Sequence, residues 1–176
     1  MPCGLLKLIA EKRIHKSLVK NDACSTTFKT YTKFVSNTFD TSTINVYRNE
    51  KEWLLKFENS QYFPTLIYHD DSLRMLVTTD MGSELTKDDL SKIDVKMKIK
   101  ELLEELKKYN CRHNDIKPCE LVFKNNNINL IDFGWAHDYD KSNPIDWPSC
   151  LGNEFRGDVY DDEVSINKSI DYIMNN

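Results

Sequence analysis

Two stretches decide how this chain is read: Arg112-His113-Asn114-Asp115-Ile116-Lys117-Pro118-Cys119-Glu120-Leu121, and Leu130-Ile131-Asp132-Phe133-Gly134. The first is a polar loop after a helical pattern. Between the two, Leu121-Val122-Phe123 and Ile128 to Ile131 flank Lys124-Asn125-Asn126-Asn127. Asparagine tolerates the left-handed backbone of a tight turn, so the segment reads as a β-hairpin. A hairpin folds the chain back on itself, which places Asp115 and Asp132 near its two ends, on the same side of one cleft. Two carboxylates with Lys117 and a third acid, Glu120, can hold a divalent cation and a phosphate together. The chemistry implied is metal-assisted phosphoryl transfer.

Working outward, Asp94 to Tyr109 carries Val95, Ile99, Leu102, Leu103 and Leu106 on one stripe and Lys and Glu on the other face, the pattern of an amphipathic helix. Asn45 to Glu58 has the same period, through Val46, Tyr47, Glu50, Trp53, Leu54 and Phe57. From Leu5 to Val35 the β-branched and aromatic residues predict two or three antiparallel strands, clearest over Lys29 to Val35. Leu66 to His69 and Leu73 to Thr79, separated by Asp70-Asp71-Ser72, predict a hairpin. Val164, Ile166, Ile170, Ile173 and Met174 suit a short final helix. Sheet first, helix in the middle and hairpin after it make the class α+β.

Composition bounds the function. The 176 residues are enough for one domain or two small lobes sharing a cleft, and 40% hydrophobic residues supply a core. A net charge of −4 gives no global positive field for nucleic acid. No apolar run approaches a membrane span, and Met1 to Ala10, interrupted by Lys7, is too short for a secretory signal. The expectation is a soluble cytoplasmic protein with no nucleic-acid or membrane partner. Cys3, Cys24, Cys111, Cys119 and Cys150 show neither a Cys-x-x-Cys pair nor zinc-finger spacing and are read as reduced thiols.

His113-Asn114-Asp115-Ile116-Lys117-Pro118-Cys119-Glu120 resembles the protein-kinase pattern H-R-D-x-K-P-x-N, and Asp132-Phe133-Gly134 matches D-F-G. The chain thus resembles the protein-kinase-like superfamily. Its wording around Phe63-Pro64-Thr65-Leu66 and Ile131 to Ala136 is most similar to the minimal kinase-like proteins of bacteriophages and large DNA viruses, which implies host cytoplasm. The resemblance implies a small two-lobe fold: residues 1–80 as an N-lobe-like antiparallel sheet with one helix, and residues 81–176 as a truncated C-lobe with the catalytic loop and the D-F-G hairpin. It implies ATP and Mg²⁺ or Mn²⁺ as cofactors. Asp115 would orient and deprotonate an attacking hydroxyl, and Lys117 would neutralise the transferred phosphoryl group. Asp132 and Glu120 would hold metal, with His113 structural beneath the loop. Glu50 would pair with a strand lysine, Lys33 by choice or Lys29 as the alternative, and Thr79-Asp80-Met81 would present backbone groups to adenine.

Three departures qualify the resemblance. Glu120 stands where the family has Asn, and either strengthens the metal site or turns outward and forfeits the second metal. No Gly-rich loop precedes Lys33, since Gly4 is the only glycine before Gly82, so any phosphate cover relies on side chains such as Lys16, Ser17 or Lys20. Only 42 residues follow Gly134, with no Ala-Pro-Glu segment, so the peptide platform is largely missing and the acceptor is open. The acidic tail around Trp135, Trp147, Phe155 and Ile170 reads as a solvated surface on a few anchors, with Arg156 a candidate phosphate contact. Three readings follow: a phosphotransferase with an unidentified hydroxyl acceptor; within it, a small-molecule kinase of the aminoglycoside or choline type; and a catalytically inactive nucleotide-binding or regulatory module.

Overall fold

The described residues form four α-helices and three small antiparallel sheets, of which the longer elements follow the strand and helix periods of the sequence. The class is α+β, seen here in a computed structural model that describes residues 13–19, 26–141 and 161–176, with backbone alone for 13–19, 26–29 and 39. Expectations attached to Met1–Ala10, to the side chains of Lys16, Ser17, Lys20 and Lys29, and to Trp147, Phe155 and Arg156 lie outside the described residues.

The first sheet has the order β1-β2-β4-β3, from β1 (Arg13–Val19), β2 (Thr26–Phe34), β3 (Leu66–Asp70) and β4 (Met75–Thr79). Its register sets Tyr31 opposite Thr78 and Lys33 opposite Leu76. The β3–β4 turn differs from expectation. Leu73 belongs to the turn and β4 starts at Met75, because Asp70 Oδ1 accepts the Ser72 and Leu73 N–H groups and Arg74 adopts a left-handed φ of 49°. Arg74 then reaches back to Asp40 with both terminal nitrogens at 2.8 Å.

Helix α1 (Val46–Lys56) is capped by Asn45, whose side chain accepts the Arg48 N–H. It buries two faces. Val46, Tyr47 and Leu54 pack with Val35, Leu76 and Trp135, while Trp53 joins the larger core formed by Phe57, Phe63, Leu102, Leu106, Ile128, Leu130, Phe133 and Ile166. The rings of Phe57, Phe63 and Phe133 are 4.6 to 5.1 Å apart, in the tilted and edge-on geometries that aromatic quadrupoles favour.

Helix α2 (Lys87–Leu90) and the two-residue strands β5 (Ser83–Glu84), β6 (Cys111–Arg112) and β9 (His137–Asp138) are too short to leave a periodic signal. Helix α3 (Val95–Lys108) is capped by Asp94. Strands β7 (Leu121–Lys124) and β8 (Asn127–Leu130) form the expected hairpin. Asn125 and Asn126 both take positive φ, 54° and 59°, as a two-residue turn of this hand requires. The last helix, α4 (Asp162–Asn175), is the expected final helix and runs 14 residues. No helix among the described residues is long and apolar enough to cross a membrane.

Candidate functional site

The β7–β8 hairpin brings its two flanking acids into one charged cluster with residues from β2 and α1. Lys33, on β2, donates to Glu50 Oε1 at 3.1 Å and Oε2 at 2.9 Å, and to Asp132 Oδ1 at 2.6 Å. These contacts join positions 17 and 99 residues apart. A second lysine repeats the motif: Lys117 Nζ lies 2.7 Å from Asp115 Oδ2 and 3.6 Å from Glu120 Oε1. Of the sequence-predicted residues, Lys33, Glu50 and Asp132 meet directly, as do Asp115, Lys117 and Glu120. Glu120 is buried, so the outward-turned alternative is corrected.

Charge and burial compete throughout the cluster. Burial opposes the Lys33 ammonium, yet Asp132 and Glu50 outweigh it and hold the lysine well above its ordinary value. Lys117 is raised in the same way by Asp115, Glu120 and Asp132 against its burial. Burial would lift the Asp132 carboxyl, but Lys33 and Lys117 pull it far below the usual carboxylate range. Glu50 is pushed up to about 7 by burial, with Lys33 pulling the other way. Glu120 is pushed up to about 7 by burial and by the like charge of Asp132, against Lys117.

The donor chemistry suits a hard divalent ion: Glu120 and Asp132 are oxygen donors of like charge, and a cation bound by both would offset the repulsion that raises Glu120. Among the described residues no group of three or more His, Cys, Asp or Glu side chains could hold a metal by itself. Mg²⁺ commonly takes one or two carboxylates and completes its shell with phosphate oxygens and water, so two acids fit.

His113 is fully buried against Phe133, with ring centroids 4.8 Å apart. Its Nε2 pairs with the Ile131 carbonyl at 3.0 Å while Nδ1 accepts the Asp115 N–H at 3.3 Å. Burial lowers its pKa, so the imidazole is a neutral prop that joins the two acidic loops. Asn114 and Asp132 both adopt left-handed φ, 64° and 69°. Both are types that tolerate this conformation, and its modest strain commonly marks functional loops.

Two supports escaped the sequence reading. Asp162, at the start of α4, accepts the backbone N–H of His113 at 2.7 Å and of Asn114 at 3.0 Å. Asn49 and Trp53 on α1 hold the segment after Phe133: Asn49 Nδ2 donates to the Gly134 and Ala136 carbonyls at 2.9 and 2.8 Å, and Trp53 Nε1 to Ala136 at 3.1 Å. A helix-initiating acid was the signal for Asp162, but its partner loop lies 48 residues upstream.

Thr79 is the last residue of β4, and Asp80 and Met81 lead from it to Gly82, whose φ of 114° and proximity to the Phe123 carbonyl leave no room for a side chain. Cys111 and Cys119 are free thiols, and burial raises Cys111 well above its ordinary value. Asn114 Oδ1 and Asn129 Oδ1 are buried with no partner among the described residues. The sequence matches no known family pattern and no curated protein.

Proposed function

We propose that the chain is an ATP- and divalent-metal-dependent phosphotransferase of two-lobe, protein-kinase-like form, acting on a hydroxyl acceptor. The observation that carries this reading is Lys33 bridging Glu50 and Asp132. A strand lysine, a helix glutamate and the aspartate of D-F-G converge from three parts of the chain, which a solvated lysine would not do.

Lys33, positioned by Glu50, meets phosphate charge in the cleft. Asp115 orients the acceptor hydroxyl and takes its proton, while Lys117, 2.7 Å from it, neutralises the transferred group. Held by Asp132 and Glu120, Mg²⁺ or Mn²⁺ supplies Lewis-acid neutralisation of the phosphates. Thr79-Asp80-Met81 border the base. Phosphoryl transfer needs chiefly positioning and charge neutralisation, and two lysines among four acids provide both.

A second reading, a nucleotide-binding or regulatory module without transfer, is favoured by one contact: the Lys33 ammonium already occupies Asp132 Oδ1 at 2.6 Å. The two are separated by measuring ATP-dependent phosphorylation of candidate hydroxyl acceptors, with thermal unfolding to verify the fold. The phosphotransferase reading expects Asp115→Asn and Asp132→Asn each to abolish transfer with the fold retained. Undiminished transfer in either variant would reject it.

A further inference from the structure

Asp132 holds a φ of 69°, a left-handed conformation that a residue other than glycine keeps only where its neighbours fix it. On the upstream side Ile131 does so, with its N–H on the Glu120 carbonyl at 3.1 Å and its carbonyl paired with His113 Nε2 at 3.0 Å. On the downstream side the work falls to the core and to α1. Phe133 is fully buried, and Gly134 lies so close to the helix that a Cβ there would stand 2.6 Å from Val46 Cγ1. The amide of Asn49 has two N–H groups, and both go to this segment, to the Gly134 carbonyl at 2.9 Å and the Ala136 carbonyl at 2.8 Å.

Helix α1 thus reaches Asp132 by two routes. Glu50 works through side chains, since Lys33 joins it to Asp132 Oδ1. That route is contested once a triphosphate is bound. An ammonium has three N–H donors, and those of Lys33 go to Glu50 Oε1, Glu50 Oε2 and Asp132 Oδ1, so a phosphate oxygen competes with these acids for them. Asn49 works through the main chain, and phosphate does not compete for its partners.

Resting on the phosphotransferase reading, we propose that Asn49 is a positioning residue of the metal site: by holding the Gly134 and Ala136 carbonyls it keeps Asp132 in the left-handed conformation on which its placement as a metal ligand depends. Groups that hold a metal ligand in place are commonly worth about 10- to 100-fold in metal affinity.

The test is calorimetric titration of the full chain with a non-hydrolysable ATP analogue, once in Mn²⁺ and once in EDTA, on the wild type, Asn49→Leu and Trp53→Phe. Asn49→Leu keeps a side chain of similar size without donors. Trp53→Phe keeps an aromatic ring and gives up one bond to Ala136, leaving Gly134 held. The expected result is that Asn49→Leu binds the analogue about tenfold or more weaker than the wild type in Mn²⁺ and equally well in EDTA, while Trp53→Phe matches the wild type in both. Asn49→Ala carries the same expectation should Asn49→Leu fold poorly in a urea titration. Wild-type affinity of the Asn49 variants in Mn²⁺ would overturn the inference. An equal loss in Mn²⁺ and EDTA would overturn it too, since Asn49 would then support the cleft as a whole and not the metal ligand. If Mn²⁺ does not tighten binding of the analogue to the wild type, the phosphotransferase reading itself fails and takes this inference with it.

Discussion

Replacing Asp162 with alanine removes the acceptor of two backbone N–H groups, those of His113 and Asn114, both buried. A buried donor left without a partner costs about 1–3 kcal/mol, so the pair loses about 4 kcal/mol in all. For a chain of this size each kcal/mol moves the midpoint by about 2–4 °C, which puts the loss near 8–16 °C. Asp162→Asn keeps one acceptor oxygen and is expected to lose about half as much. The neighbouring Asp161 supplies an internal control, since its side chain caps α4 by accepting the Glu163 and Val164 N–H groups. Asp161→Ala should cost about 1 kcal/mol, the worth of a cap alone. Urea denaturation of the three variants measures the difference. If Asp162→Ala is no more destabilising than Asp161→Ala, then Asp162 is merely a helix-end charge and the anchoring of the loop is wrong.

Gly82→Ala places a Cβ 2.1 Å from the Phe123 carbonyl oxygen at a φ of 114°, and is expected to lower stability by more than about 2 kcal/mol, read from the urea midpoint. Lys33→Met strands Glu50 in a buried site beside Asp132, so a loss of about 3 kcal/mol is expected at pH 8, and a smaller one at pH 5 where Glu50 can take a proton. Glu50 is raised from 4.5 to about 7, so its contribution is present at low pH and lost as pH rises through that interval. Glu50→Gln therefore gains on the wild type by about 2 kcal/mol between pH 5 and pH 8; the opposite His113 shift is common to both proteins and cancels. A flat difference across that range would count against the burial assigned to Glu50.

Local chemistry made much of this legible. The apolar stripes of α1 and α3, and the paired asparagines of the β7–β8 turn, announce themselves over a few residues. The proximity of Asp115 and Asp132 follows from the hairpin between them, and that of Lys33 and Glu50 was read by likeness to a known pattern. What the sequence hid depends on long separations or very short elements. The two-residue strands β5, β6 and β9 carry no period of their own. The Asp162 bonds to His113 and Asn114, and the capture of the Asp80 carbonyl by Lys124, involve residues more than 40 positions apart and side chains that look like ordinary solvated charge. The shift of Leu73 out of β4 turned on one left-handed residue, Arg74, where no glycine marks the bend.

The grip of Asn49 and Trp53 on the Gly134 and Ala136 carbonyls has a consequence for how the protein is made. Helix α1 leaves the ribosome more than 80 residues before the backbone that satisfies it. At roughly 5–20 residues per second, that is a wait on the order of 4–16 s. Through that interval the indole of Trp53 and the ring of Phe57 lack Ala136 and Phe133, their later partners. Docking is thus a late event of synthesis, and the nascent chain passes through a stage in which Trp53 and Phe57 lack these partners and are open to chaperones.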